Sequence, residues 1–414
     1  MNTLAVAHVL RKYDADELGG TETHVAEITR RLNDLGVHCE VHAPAGPRAG
    51  GNLAVPLFRY KAFSPFLGPK AQRRALVQNA GNLVSLDEPL RLYRDRSLSL
   101  VHVHTTGRIG GGVRTAMKLS KRPYIVSVHG PLLSGGAFLQ ADTARRLSGV
   151  IDLGQPFGLL LGARRVIDDA ARVLCFNDDE HAALQRRIGA RAVRMDHGVD
   201  AARFTRGNAA HVREAWPALG EAPLVVQVGR LCVQKDQLLT LRAFARVAAQ
   251  HRLVFVGQET DRGYRAQLEA EARALGIAER VHFLGNLPPH EVPDVLAAAT
   301  LMVAPSQHEA FGLLVLEAWA AKKACVFSRV GGLADLARVL DATGPGAGAV
   351  ALTERSPEAF AAQLQVLLGD AQLREAAAAR GHALVQQRFS WDTAAERLHA
   401  LYREVLDERA RRSA

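Results

Sequence analysis

The sequence predicts an α/β protein built from two doubly wound domains, and three observations carry that expectation. Short apolar runs of four to seven residues alternate with longer stretches of helical period. The alternation is played through twice, once on each side of a polar segment near residue 210. The runs are continuously apolar, as strands of a parallel sheet covered on both faces should be.

LAVAHV (4–9) reads as the first strand, followed by a loop with Gly19-Gly20, a helix reaching Leu35 and a strand around 37–43. Further strands are predicted at 99–103, 123–128 and 172–176, with helices between them. The second half runs PLVVQVG (223–229), a helix from about 236, LVFVG (253–257) and a helix to Leu275. VHFLG (281–285), a helix near 290–298, LMVAP (301–305), a helix from 311 and ACVF (324–327) follow. RGNAAHVREAWPALGEAP, ending at Pro223, separates the halves and predicts domains 1–205 and 206–390. After Ser390 the apolar positions Trp391, Ala394, Leu398, Leu401 and Val405 recur at three- and four-residue steps. They predict an amphipathic helix over 391–414 that packs back across the junction; alanine-rich 376–384 is helix filler.

A chain of 414 residues with 48% apolar and 23% charged residues is globular in composition. Its net charge of +10 is uneven: residues 1–205 carry 28 basic and 19 acidic side chains, the rest 24 and 23. The first half therefore faces an anionic partner. Nucleic acid is not expected, because no recognised nucleic-acid-binding motif of aromatic and basic residues and no zinc spacing accompanies the charge. Cys39, Cys175, Cys232 and Cys325 are far apart and form no C-x-x-C pair, which fits a reducing compartment. MNTLAVAHVLRKYD reads as a first strand rather than a signal peptide, and no apolar run approaches the ~18 residues of a membrane span. The expectation is a cytoplasmic protein, at most peripheral at the inner face of the cell membrane.

The chemistry concentrates in APSQHEAFGLLVLEAWA (304–320). A strand ends at Pro305, a loop carries Glu309, and a helix begins near Phe311. Its free amides at Phe311, Gly312 and Leu313 form an anion site at a strand's carboxyl end. Glu317 lies roughly 6–9 Å along that helix. Two carboxylates flanking an anion site suit a ligand with phosphates in the middle and hydroxyls at both ends, such as a nucleotide sugar. The plain alternative makes Glu309 a cap and Glu317 a solvated charge, but Glu317 sits between Leu316 and Ala318, where unpaired burial is costly. In VGRLCVQKD (228–236), Arg230 and Lys235 follow another strand end and can neutralise a diphosphate where no metal does so.

In these motifs the chain resembles the retaining, nucleotide-sugar-dependent glycosyltransferases of family 4, which have the GT-B fold of two Rossmann-like domains facing a cleft. The resemblance runs through Gly19-Gly20, His129-Gly130, His197 to Asp200, G-R-x4-K (Gly229 to Lys235) and E-x-F-G-x4-E-A (Glu309 to Ala318). It implies an acceptor-binding first domain and a donor-binding second one. It also implies transfer of a sugar from a UDP- or GDP-sugar to a hydroxyl of a glycan or lipid-linked glycan, in cell-surface polysaccharide or glycolipid synthesis. By the same resemblance Arg230 and Lys235 hold the donor diphosphate, and Glu317 binds the ribose. Glu309 holds the sugar hydroxyls, the amides of Phe311, Gly312 and Leu313 contact sugar or phosphate, and Gly20 allows close approach to the diphosphate. His129, which on the residues alone reads equally as a core or loop histidine, is by the resemblance a charge-stabilising group near sugar and acceptor, and the resemblance implies no required metal or cofactor. The chain departs from the family pattern at His197 (usually Asn), Asp236 (often Gly) and Leu333-Ala334 (often Pro-Glu).

Other segments stay open. Asp14-Ala15-Asp16 spells D-x-D but offers too few oxygens for a hard cation. His102 and His104 alternate along a strand, share a face and could ligate zinc, yet no third ligand is nearby in sequence. They read as cleft-side or packing histidines. LFRYKAFSPFLGPKAQRR (57–74) reads either as an acceptor or anionic-membrane contact through Arg59, Lys61, Arg73 and Arg74, or as a buried aromatic loop with solvated cations. A GT-B phosphorylase or a sugar-nucleotide epimerase would share the fold. A NAD-type oxidoreductase is disfavoured because neither first-strand loop shows G-x-G-x-x-G.

Overall fold

A computed structural model describes residues 4–14, 19–45, 53–69, 83–134, 151–344 and 351–413. The chain forms two units: Met1–Asp196 with Trp391–Ala414, and His197–Ser390.

In the first unit the strands are β1 (Ala5–Val9), β2 (His38–Pro44), β3 (Leu57–Tyr60), β4 (Phe66–Leu67), β5 (Leu100–Val103), β6 (Tyr124–Ser127), β7 (Ile151–Asp152), β8 (Arg172–Cys175) and β9 (Ala192–Arg194). Among the described residues seven of them form a parallel sheet in the order β3-β2-β1-β5-β6-β8-β9, and β4 and β7 pair as an antiparallel ribbon. The order reverses between β1 and β5, where His8 lies opposite His102. Val9, Val101, Val103, Val126 and Val173 are buried in the core of this unit with Val113 and Met117 from the helix Arg108–Leu119.

The second unit contains β10 (Leu224–Val228), β11 (Arg252–Val256), β12 (Val281–Gly285), β13 (Leu301–Ala304), β14 (Ala324–Ser328) and β15 (Ala351–Leu352), all parallel, in the order β12-β11-β10-β13-β14-β15. Here the order reverses between β10 and β13. In open α/β sheets a ligand crevice forms outside the strand ends at such a reversal.

The predicted amphipathic helix exists as Trp391–Ser413, and Trp391, Ala394, Leu398, Leu401 and Val405 are all buried. It packs along the helix Gly20–Asp34 as part of the first unit, with Arg31 Nε donating to Asp392 Oδ1 at 2.7 Å. The division between units differs from the expected one, falling at Asp196/His197 rather than after residue 205. The first sheet is complete at Arg194, and the following helix Ala201–Thr205 packs against Val292–Ala298 and Leu313–Ala320 of the second unit. β3, β4, β7, β9 and β15 have no counterpart among the expected strands. They are two to four residues long, too short to display a period. All four cysteines are free and buried, and among the described residues no helix is long and apolar enough to cross a membrane.

Candidate functional site

The site in the second unit is built on the two strands that flank the reversal. β10 ends at Val228, and Gly229 follows at φ 141° with its N–H donating to Val256 O at 2.8 Å. Gly257, at φ 144°, lies so close beneath that a Cβ there would stand 2.1 Å from Gly229 O. Only glycine fits such a left-handed backbone under a crossing chain. The loop then places Arg230 at the surface, where its Nη2 donates to Gln234 Oε1 at 3.2 Å. Buried Gln227 fixes the other end: its Nε2 donates to Lys235 O at 2.8 Å and its Oε1 accepts from Thr240 Oγ1 at 2.6 Å. Asp236 takes a left-handed conformation, φ 52°, and its carboxylate caps the helix Gln237–Phe244 while pairing with Arg355. That capping explains how Asp stands where a glycine is frequent.

From β13 the chain runs through Ser306 and Glu309 to a helix spanning Leu313–Ala320. The helix starts two residues later than the sequence suggested, because Gly312 at φ 102° is its cap; Phe311 precedes it as a buried ring. The first helical amides, Leu313 among them, have no intrahelical carbonyl to donate to. Phe311 is held edge-on by His197, 4.8 Å between centroids, and by Phe389 at 6.0 Å.

The structure brings Lys235 and Glu309 together as a half-buried ion pair, Nζ on Oε1, and Ser306 Oγ donates to the same Oε1 at 2.8 Å. Burial pushes the Glu309 carboxyl up, but the Lys235 ammonium and the Ser306 hydroxyl outweigh it and hold the pKa below the ordinary value. Glu317 has no such support. Burial raises it to about 7, against the pull of Arg203 and Lys235. The site thus combines a cation, an ionised carboxylate, a second carboxylate poised to exchange a proton near neutrality and a helix start, which together fit a phosphate flanked by hydroxyls.

In the first unit His129 follows β6 by two residues. Burial, helped by the Arg11 charge, lowers its pKa to about 3, so the ring is neutral. His104 Nδ1 lies 2.8 Å from His129 Nε2, and His104 Nε2 lies 3.1 Å from His8 Nδ1. His102, expected to share a face with His104, stacks on it at 4.3 Å. His24, from the helix that Gly20 begins, packs edge-on to His129 at 5.0 Å. Sequence reasoning saw His102, His104 and His129 but not their union with His8 and His24, since the five residues come from four different elements or their ends. Gly20 is exposed at the start of its helix.

The basic-aromatic segment is largely not the surface that one reading expected. Arg59 Nη1 donates to Tyr13 O at 2.9 Å and Pro44 O at 3.2 Å, bracing the sheet edge rather than facing solvent. Tyr60 and Phe66 are buried, whereas Lys61 is exposed. Arg73, Arg74 and Asp16 lie outside the described residues. An exposed apolar patch occurs instead around the β4–β7 ribbon: Phe63, Leu67, Ile151, Leu153, Leu159 and Leu160, the last 81% exposed, with Arg164 exposed nearby in sequence. No period announces it, because its residues come from short, irregular segments.

Comparisons with known proteins agree with this architecture. The family model described as Glycosyl transferase 4-like domain matches residues 19–197, and that described as Glycosyl transferases group 1 matches residues 210–383. A D-inositol 3-phosphate glycosyltransferase of Geodermatophilus obscurus is 28% identical over 415 residues, covering 96% of this chain and 87% of that protein. D-inositol 3-phosphate glycosyltransferase 2 of Catenulispora acidiphila is 29% identical over 422 residues, covering 96% and 92%. Among solved structures, Anabaena HepE in complex with UDP and glucose superposes with a TM-score of 0.75 at 18% identity, covering 97% of this chain and 100% of that one. Sucrose-phosphate synthase from Thermosynechococcus elongatus gives 0.72 at 19%, covering 98% and 100%. These similarities give the fold as GT-B.

Proposed function

We propose that this chain, which belongs to the glycosyltransferases of group 1, moves a sugar from a nucleoside diphosphate sugar to an acceptor hydroxyl with retention of the anomeric configuration. The observation that carries the proposal is the half-buried Lys235–Glu309 pair beside Glu317 and the start of the helix Leu313–Ala320. In this reading Arg230, Lys235 and the helix amides meet the diphosphate, Glu317 takes the ribose hydroxyls and Glu309 the sugar hydroxyls. The bond from the anomeric carbon to the phosphate oxygen breaks, and its electron pair leaves on the diphosphate, whose new charge these groups stabilise. The acceptor oxygen bonds to the same face of that carbon, and its proton passes to the departing phosphate oxygen. Neutral His129 contacts sugar or acceptor without serving as a base. The side chains supply the countercharge, so transfer requires no divalent metal or other cofactor.

UDP is the favoured donor base, supported by the UDP complexes of HepE. The acceptor is proposed to carry phosphate, supported by the basic excess of residues 1–205 and by the inositol phosphate in the relatives' names. It is either a phosphorylated cyclitol or a pyrophosphate-linked lipid glycan, the latter placing the enzyme in cell-surface polysaccharide or glycolipid synthesis. The exposed apolar patch supports peripheral attachment to the inner membrane face. The test incubates UDP- and GDP-sugars with D-inositol 3-phosphate or a polyprenyl-pyrophosphate glycan in EDTA and follows nucleotide release and product anomer by NMR. Retained configuration, with turnover reduced by about two orders of magnitude in Glu309→Ala, is expected. Inverted product, sugar phosphate, an epimerised donor or undiminished Glu309→Ala turnover would overturn the reading.

A further inference from the structure

Five buried or nearly buried imidazoles, His8, His24, His102, His104 and His129, meet at the carboxyl ends of β1, β5 and β6, and the transfer chemistry uses one of them. Two overlapping triads bring one ligand atom from each member within 4.8 Å of the others: His8, His102 and His104, and His24, His104 and His129. Three nitrogens around a tetrahedral zinc stand about 3.4 Å apart for bonds of ~2.0–2.1 Å, so small ring rotations suffice.

The hydrogen bonds choose between the triads. Both nitrogens of His102 are already engaged, Nδ1 with the Tyr402 hydroxyl at 2.6 Å and Nε2 with Ser127 Oγ at 2.8 Å. His104 and His129 instead turn Nδ1 and Nε2 towards each other at 2.8 Å. The remaining nitrogen of His104 is held by His8 Nδ1 at 3.1 Å, in the manner of an outer partner that fixes a ligating ring. His8 Nε2 is then buried with no hydrogen bond among the described residues. Orphaning that nitrogen has a cost, which the fold can carry where His8 serves to orient His104. Phe176 and Trp391 wall the second triad, with Phe176 stacked on His129 at 5.0 Å and Trp391 edge-on to His24 at 5.7 Å.

We propose that His24, His104 and His129 form a binding site for one divalent transition metal ion, zinc by preference, with His8 as the positioning residue behind His104. An all-imidazole set favours zinc, copper or nickel over magnesium or calcium, and three protein ligands leave a position for water or another oxygen ligand. With His104 donating its Nε2–H to His8, the 2.8 Å contact is a hydrogen bond from His129 Nε2–H to His104 Nδ1; metal binding shifts the His129 proton from Nε2 to Nδ1, releases none, and leaves one lone pair on each facing nitrogen for the metal. The site stands on the first unit alone and does not rest on the donor reading.

The test strips the full-length protein with chelator and titrates it with Zn2+ by calorimetry and with Co2+ by visible absorption. One ion per chain and tetrahedral cobalt bands are expected. His24→Ala and His104→Ala should each weaken binding at least tenfold, and His8→Ala by about tenfold, while exposed His211→Ala and His290→Ala change nothing. Circular dichroism identifies any variant that fails to fold; should His104→Ala do so, the wild-type cobalt spectrum and His24→Ala decide. Absence of saturable binding, or binding that survives His24→Ala and falls with the surface variants, overturns the proposal.

Discussion

At the residue level, the pairing of Lys235 with Glu309 changes how both are read. Sequence assigned one to phosphate and the other to sugar, whereas the structure places them in contact with Ser306 on the same oxygen. The partners are 74 positions apart, and only the adjacency of β10 and β13 joins them, which no local pattern encodes. Glu317 was legible, because a carboxylate between Leu316 and Ala318 in an apolar helix announces its own desolvation. That burial gives it a testable sign. With a folded pKa of about 7 against an ordinary 4.5, the native state holds a proton that the unfolded chain has released between those values. Stability from this group is therefore lost as pH rises through that window. Urea unfolding at about pH 5 and about pH 8 should show the wild type losing more stability than Glu317→Gln. Parallel losses would mean that the carboxyl is not held protonated.

At the level of elements, the long strands and helices were readable, since each shows a continuous apolar run or a clean helical step. The short edge strands were not: β3 is LFRY, whose mixed composition reads as a surface segment until Tyr60 is seen buried, its hydroxyl donating to Leu10 O at 2.6 Å. The loop that follows β10 depends on a backbone crossing that sequence shows only as two isolated glycines after strands. Gly257→Ala forces a side chain into a φ of 144° and against Gly229 O. It should destabilise the protein by about 2 kcal/mol or more in urea unfolding. A loss below a few tenths would mean that the loop is free to move away.

For the whole molecule, the two-sheet plan and the returning C-terminal helix were visible from the rhythm of the chain, while the point of division was not. Residues 197–205 are polar enough to continue either half and are claimed by the second unit through packing. The proposed membrane attachment belongs to the same scale, because a patch assembled from β4, β7 and the helix Gln155–Leu160 exists only after folding. Leu159→Asp with Leu160→Asp should reduce sedimentation with vesicles rich in anionic phospholipid several-fold without changing transfer to a soluble acceptor. Unchanged sedimentation would remove the membrane from the account. The central claim is a nucleotide-sugar donor site in the second unit, and calorimetry of the full chain with UDP, GDP, ADP and TDP in EDTA tests it most directly. One nucleotide is expected to bind per chain, with UDP preferred and affinity reduced about tenfold or more in Glu317→Ala. Binding of none of the four, or equal affinity in Glu317→Ala, would contradict it.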